Sequence, residues 1–552
     1  TWSPDGRLPI FVRSVYTLHE TTGERASSPM TGQQGTPVTM GTGIRWALPL
    51  VLLLGAVAWA QVPRTWVYEM RLPNPDAARR LVDLGLVIDE VTPERAVVYA
   101  DEAERMTVES LGWPVRLLEI QPVADEKTVD GYRDSNDIAA LFAQWATNYP
   151  GLCQVYTLGY SVQNRPILAI KITANPDTPA DKPAVRYIAT IHGDEPVGTE
   201  MCLYFAEWLL TSYGTDSRVT RLVDETVCWL LPLMNPDGLV LRTRRNANGT
   251  DLNRNFPVYA GDFSGPWLPG QEISTTLREP EVATIMNWTA SERFVVSGTF
   301  HGGSLVANYP YDYEPGVPSG TAALSPDEDL FQYVALRYTM YNPDMYASTQ
   351  FPQGIVNGSA WYSATGTLQD WCYRMFGTLE LTLEIGYTKK PAISTMPTYW
   401  ARNRDAMISY LETALEGVRG ITRNRVTGEP VETTVWVNGN SQPVFSSSTA
   451  GNYHRVLLPG TYAMRWEAAG YIPWRQESVV VGEGPATRVD VDLSDGDLNG
   501  DRAVNASDIQ LSVNALLGEG IPGDADVDGL GLSITDLQWV VNRAIAKATN
   551  DG

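Results

Sequence analysis

The stretch that most constrains this chain runs Ala184-Val-Arg-Tyr-Ile-Ala-Thr-Ile-His192-Gly-Asp-Glu195-Pro-Val-Gly-Thr-Glu200. A β-branched apolar run stops at His192, a turn follows, and a helical pattern begins near Gly198. The spacing predicts an imidazole and a carboxylate at the carboxyl end of a buried strand, where open α/β sheets bind their ligands. A zinc centre with an open position takes three protein ligands, and two His plus one Glu is a known set. Alone, the motif also fits a polar surface loop, so the remaining residues have to decide.

With 552 residues the chain exceeds one typical core, and several domains are expected. Its 41 basic and 64 acidic residues leave a formal net charge of -23, which disfavours nucleic acid as a partner. Cys153, Cys202, Cys228 and Cys372 include no Cys-x-x-Cys pair, so neither a disulfide framework nor a thiolate metal site is indicated. Residues 1–39 are Gly/Ser/Thr/Pro-rich and aperiodic, and read as translated upstream sequence or a disordered leader. Residues 40–60 carry Arg45, an apolar run and a small-x-small site at Ala58-Trp-Ala60, the pattern of a secretory signal peptide cut before Gln61. A membrane anchor needs about 20 apolar residues, and no segment is long enough. The expectation is a secreted protein, extracellular or periplasmic, without a membrane span.

Residues 61–125 read as a small α/β domain, with strands at 65–71, 96–100 and 115–120 and helices at 76–84 and 103–111. They carry no chemistry and suit a folding or inhibitory pro-segment, or an extra domain. From 131 to 417 helical and strand patterns alternate, with strands at 167–172, 185–191, 226–233, 294–300 and 379–385. Most of these strands are apolar on both faces, which predicts a mixed, largely parallel sheet covered by helices. Residues 418–493 break into short strands separated by turns such as Asn438-Gly439 and Pro459-Gly460, the pattern of an antiparallel β-sandwich. Residues 495–552 are rich in Asp, Asn and Gly and contain an internal repeat.

The chain has four histidines, His19, His192, His301 and His454. Both histidines of the α/β region end a predicted strand, and with Glu195 they make a metal-ligand set. Leu379, Leu381 and Leu383 alternate with Glu380, Thr382 and Glu384, so one strand face can offer a carboxylate as general base. Between these lies an Arg/Asn-rich loop from Arg242 to Pro257. Arginine presents a planar fork to carboxylates, which suggests a substrate with a free carboxyl end.

These stretches together resemble the zinc metallocarboxypeptidases, and within them the N/E (regulatory) subfamily, over residues 131–415. The resemblance rests on His192-Gly-Asp-Glu195, Asn235-Pro-Asp-Gly238, Arg244-Arg-Asn-Ala-Asn-Gly-Thr-Asp-Leu-Asn-Arg-Asn-Phe-Pro257 and His301-Gly-Gly-Ser-Leu-Val-Ala-Asn-Tyr-Pro-Tyr-Asp312. Trp361-Tyr362, Leu368-Gln-Asp-Trp371 and Glu380-Leu-Thr-Leu-Glu384 continue it. The region 418–493 resembles the transthyretin-like domain that follows the catalytic domain in that subfamily. The resemblance implies that His192, Glu195 and His301 hold Zn2+, that Glu384 is the general base, and that Arg244 polarises the scissile carbonyl. It further implies that Asn253 and Arg254 hold the terminal carboxylate of a peptide or protein substrate and that Tyr362 closes over the bound residue. Asp312 and Gln369 would receive a basic side chain, which implies release of C-terminal Lys or Arg. Leu368 and Thr367 depart from a common Met and Gly. Two alternatives are a zinc hydrolase of peptidoglycan stem peptides and a non-catalytic, scaffold-bound binding protein; retention of every signature residue disfavours the second.

In the tail, Asp497, Asn499, Asp501, Asn505 and Asp508 stand at the first, third, fifth, ninth and last positions of a loop of EF-hand type, so Ca2+ is expected there. Arg502 occupies the position where an EF-hand has Gly. A second copy, from Asp524 to Asp536, is one residue longer, and an apolar helix follows each loop. The module resembles a dockerin, which implies a cohesin-bearing scaffold as partner.

Overall fold

The computed structural model describes residues 66–74, 77–84, 86–91, 94–100, 102–120, 130–178, 181–519 and 525–550. The expected leader at 1–39, the expected signal peptide at 40–60 and Asp524 of the second tail loop lie outside the described residues.

The N-terminal sheet contains β1 (Trp66–Arg71), β2 (Val87–Val91), β3 (Arg95–Ala100) and β4 (Val115–Ile120), in the order β2-β3-β1-β4. All its pairings are antiparallel. Helices Ala77–Asp83 and Glu102–Ser110 put Ala77, Leu81 and Val108 against Tyr68, Met70, Ala96, Val98 and Ala100. Strand β2 escapes the sequence pattern because its register shifts between Ile88 and Glu90, which breaks the alternation a strand needs to be recognised.

The central sheet comprises β5 (Cys153–Tyr160), β6 (Pro166–Ile172), β7 (Ala184–Ala189), β8 (Val227–Leu231), β9 (Val296–His301), β10 (Ser304–Tyr309), β11 (Ile355–Asn357) and β12 (Leu379–Gly386). Their order is β11-β10-β12-β9-β7-β8-β6-β5. Strands β12, β9, β7 and β8 run parallel in the middle, with antiparallel pairings at β6–β8, β5–β6 and β10–β12. The mixed, largely parallel sheet is therefore present. On one face Phe142, Met201, Phe205, Leu209, Met407 and Tyr410 form the main core. On the other, Val282, Ile285, Met286 and Trp371 pack with Ile188 and Leu231. Apolar residues on both faces of the inner strands follow from this double cover. Strand β5 carries no recognisable sequence pattern: it lies at the sheet edge, with Tyr156 and Tyr160 exposed, and lacks a buried stripe.

The next region has two sheets. One has the order β16-β13-β19 with β20 also on β13; the other is β15-β14-β17-β18. The strands are β13 (Val418–Asn424), β14 (Thr434–Val437), β15 (Val444–Phe445), β16 (Asn452–Arg455), β17 (Gly460–Glu467), β18 (Trp474–Val481), β19 (Thr487–Arg488) and β20 (Val491–Leu493). Val418, Val435, Met464, Trp466, Val479 and Leu493 fill the space between them. The antiparallel expectation needs correcting, because β13 runs parallel to β19 and β20. The chain leaves β18 and returns to the first sheet, so its last strands approach β13 from the same end.

Helices Ala506–Leu516 and Ile534–Asn550 follow, joined to the β region through Ile472, Val527 and Val540. Among the described residues no helix is long and apolar enough to cross a membrane. The four cysteines are free and buried.

Candidate active site

Three parallel strand ends converge on one point. After β7, Thr190 turns with a φ of 53° and the chain places His192 and Glu195 in a tight loop before helix Val197–Ser212. His301 is the last residue of β9, the neighbour of β7. The loop closes because two backbones touch. A Cβ on Gly193 would stand 1.9 Å from the carbonyl carbon of Gly238, so Gly193 has no substitute here. Gly238 belongs to Asn235-Pro-Asp-Gly238, where Asn235 caps helix Pro236–Leu241 and donates to the carbonyls of Ile191 and Arg244.

His192, Glu195 and His301 are all buried, and one potential ligand atom of each lies within 4.8 Å of the others. Glu195 Oε2 is 3.1 Å from His192 Nδ1 and 2.9 Å from His301 Nδ1. The other nitrogen of His192, Nε2, faces Asp251 Oδ1 at 3.1 Å. Arg244 Nη1 lies 3.1 Å from His192 Nδ1. A guanidinium only donates, so Nδ1 carries a lone pair and the proton sits on Nε2, held by Asp251. The lone pairs of His192 Nδ1 and Glu195 Oε2 thus face one another, and they repel unless a cation stands between them. Ligands on a tetrahedral zinc, with bonds of about 2.0–2.2 Å, stand about 3.3 Å apart. The donor set therefore fits Zn2+. Burial pushes the Glu195 carboxyl up, but His192 and Lys389 outweigh it and hold the group well below the usual carboxylate range.

Asp251 is the site residue that sequence reasoning missed. It joins His192 to Arg244, accepting from Arg244 Nε at 3.0 Å and from the backbone N–H of Asn253 at 2.9 Å. A carboxylate behind a ligating imidazole fixes its tautomer and ring orientation. The available signal is its place inside the Arg/Asn-rich loop, where it caps the short helix Leu252–Arg254.

Strand β12 settles which of its carboxylates faces the site. Glu384 pairs with His301 in parallel register, and cross-strand neighbours share a face. Glu380, on the same face but further from the strand end, is fully buried between Arg186 at 3.5 Å and Thr299 at 2.7 Å. Glu380 is thus committed to the interior.

The remaining residues cluster nearby. Asn253 Oδ1 accepts from the Leu368 N–H at 2.9 Å, and Arg254 Nη1 donates to the Asn253 carbonyl at 2.8 Å. Tyr362 follows helix Gly358–Trp361, and burial pushes its hydroxyl up to about 12. Asp312 is 5% exposed and accepts from Gln369 Nε2 at 2.7 Å. Gln369 also donates to Asn308 Oδ1 at 3.0 Å, which orients its amide. A Cβ on Gly358 would stand 2.0 Å from Asp312 Oδ1, so the carboxylate lies against bare backbone. Burial pushes Asp312 up to about 6.

The tail loop is arranged differently. Asp497 accepts from the N–H of Gly500 and Arg502, and Asp508 from Leu498, Asn499 and Asn505. Asn499 and Asp501 accept from Asp501 and Ala503 respectively. Arg502 adopts φ 68°, the conformation for which an EF-hand uses Gly. The carboxylates that gather within 4.8 Å are those of the second loop, Asp526, Asp528 and Asp536.

Two imidazoles and two carboxylates thus meet at the parallel strand ends of a doubly covered α/β sheet, and three of the four could hold a metal ion. The zinc carboxypeptidase family model matches residues 138–406. Carboxypeptidase D of Mus musculus is 36% identical over 369 residues, covering 63% of this chain and 26% of that protein. The carboxypeptidase N catalytic chain of Homo sapiens is 34% identical over 382 residues, covering 64% of this chain and 82% of that protein. Carboxypeptidase SOL1 of Arabidopsis thaliana is 34% identical over 369 residues, covering 66% and 73%. The chain belongs to the zinc carboxypeptidase family. It spans about a quarter of the length of mouse, rat and human carboxypeptidase D.

Proposed function

We propose that this protein is a secreted, zinc-dependent exopeptidase of the N/E subfamily that releases C-terminal Lys or Arg from peptides or proteins. The observation that carries the specificity is the Asp312–Gln369 pair, a carboxylate buried against bare backbone among the polar side chains of Gln369, Asn308 and Thr367, with the charge of Arg254 acting on it. A buried carboxylate is costly without a counter-charge, so a cationic side chain is favoured and an aromatic one leaves the charge unpaired.

His192, Glu195 and His301 would hold the metal, with Asp251 orienting His192. Bound Zn2+ supplies Lewis acidity and lowers the pKa of its water to about 7. Glu384, beside His301, accepts a proton from the attacking water and delivers it to the leaving amine. Arg244 donates to the scissile carbonyl oxygen as negative charge develops there. Asn253 and Arg254 hold the terminal carboxylate of the substrate, and Tyr362 covers the bound residue. The β region after the catalytic domain serves as a transthyretin-like companion. The tail acts as a dockerin-like module that binds Ca2+ and a cohesin-bearing scaffold.

The specificity is tested with paired peptides that differ only in ending in Arg or Phe. Wild type should prefer Arg by several orders of magnitude in kcat/KM, as sites built around a polar partner do. Asp312→Ala should lose about 30-fold or more on the Arg peptide, the equivalent of about 2–5 kcal/mol for a buried charge partner. A wild-type preference for Phe would refute the assignment.

A further inference from the structure

Helix Leu368–Phe376 holds the Asp312 turn on one side and the β region on the other. Three of its side chains grip the turn. Gln369 Nε2 donates to Asp312 Oδ1 at 2.7 Å. Asp370, 9% exposed, takes the backbone instead: its oxygens accept from the N–H groups of Asp312 at 2.8 Å and of Tyr313 at 3.0 Å. Arg374 sets its Cζ 3.4 Å from the ring centroid of Tyr311 and donates to the Tyr313 carbonyl at 2.9 Å. The position of Asp312 is therefore set by the position of this helix.

The same helix is tied to the β region through a buried charge pair. Tyr373 stands one turn after Gln369 and is fully buried. Its ring centroid lies 5.7 Å from that of Tyr311, and its hydroxyl donates to Asp327 Oδ2 at 2.8 Å. Arg455, the last residue of β16, places Nη2 2.8 Å and 2.9 Å from the two oxygens of Asp327. Asn440, in the turn after β14, donates to Asp327 Oδ1 at 2.7 Å. Asp327 is 7% exposed and Arg455 1%. The helix end abuts the same region: a Cβ on Gly377 would stand 2.5 Å from the carbonyl oxygen of Pro443. A buried ion pair is weak as a source of stability, since an apolar pair of similar volume often serves as well. What it supplies is direction. A carboxylate held by donors on both oxygens has one orientation, and so has the hydroxyl bonded to it.

We propose that Arg455 is a positioning residue for substrate selection: acting through Asp327 and Tyr373, it sets the helix that holds Asp312 and Gln369, and so makes the β region part of the frame of the specificity pocket. This rests on the reading of Asp312 as the receptor of a basic side chain. Arg455 is not among the residues assigned to substrate or metal, and its effect is geometric. A shift of about 1 Å in a group that positions a substrate can cost about 100-fold, and the path from Arg455 to Asp312 runs through buried side chains with no slack.

The full chain is tested as Arg455→Gln, as Tyr373→Phe, which removes one hydroxyl, and as the two combined. Arg455→Lys keeps a cation toward Asp327. Two readouts are taken well below the unfolding temperature of each variant: kcat and KM on paired peptides ending in Arg or Phe, and hydrogen exchange over residues 311–313, which needs no turnover. Arg455→Gln and Tyr373→Phe should each cut the Arg-over-Phe preference about tenfold, through KM rather than kcat, and speed that exchange. Because the two residues share one path, the combined variant should lose no more than the larger single loss. Arg455→Lys should recover most of the preference. Val479→Ala, which opens a cavity in the β core, should leave preference and exchange as in wild type. Unchanged preference and exchange in Arg455→Gln and Tyr373→Phe would overturn the assignment, as would losses that multiply in full or an equal loss in Val479→Ala. If wild type itself favours Phe, the basic-side-chain reading falls, and exchange over residues 311–313 decides whether Arg455 positions the Asp312 turn.

Discussion

Glu384 and His301 sit side by side across β12 and β9, in parallel register at the carboxyl ends of both strands. The pairing brings a carboxylate next to an imidazole of the metal-ligand set without making it part of that set. A group so placed can shuttle protons while the three ligands stay in position. Glu384→Gln should therefore keep the metal content of wild type and lower kcat by about 10²–10⁴, the usual contribution of a general base. Metal analysis and steady-state kinetics on one preparation check this; near-normal turnover would remove Glu384 from its role.

Asp251 bridges His192 and Arg244. Asp251→Asn removes the negative charge and one of the two carboxylate oxygens that hold the imidazole Nε2–H and Arg244 Nε, leaving Glu195 Oε1, 3.3 Å from Nη1, as a remaining counter-charge of Arg244. Zinc affinity should fall about 10–100-fold, as it does when the carboxylate behind a ligating His is lost. Competition against a chromophoric chelator measures it, and an affinity matching wild type would make Asp251 a loop residue only.

Asp312 should impose a pH dependence on specificity. Burial raises its pKa from 3.8 to about 6. The free enzyme therefore protonates this group as pH falls through about 6, and kcat/KM for Arg-ending peptides should fall with it. Asp312→Asn should abolish that limb. The linkage to stability has the opposite sense. Between pH 3.8 and about 6 the folded state holds more protons than the unfolded state, so this group's contribution to stability declines as pH rises through that window. Thermal unfolding of wild type and Asp312→Asn across the window reports it as a difference that grows with pH.

Calcium should order the tail. Asp526, Asp528 and Asp536 lie within 4.8 Å of one another, and like charges at that range repel without a cation. Hydrogen exchange of the full chain should slow across residues 497–546 when millimolar Ca2+ is added and return on chelation. Exchange indifferent to Ca2+ would argue against the dockerin-like reading.

The sequence by itself determined the α/β class, five inner strands of the catalytic region, and the expectation of a His192, Glu195 and His301 ligand trio. Buried parallel strands leave unbroken apolar runs, and the polar residues that end those runs stand out. Tertiary structure decided what depends on neighbours far along the chain. It separated Glu384 from Glu380, because only the pairing of β12 with β9 and the buried Arg186 distinguish the two. It gave Asp251 a role through His192, 59 positions away, a contact no local pattern encodes. It revealed β2 and the parallel pairing of β13, where a register shift and a return between sheets hide the period.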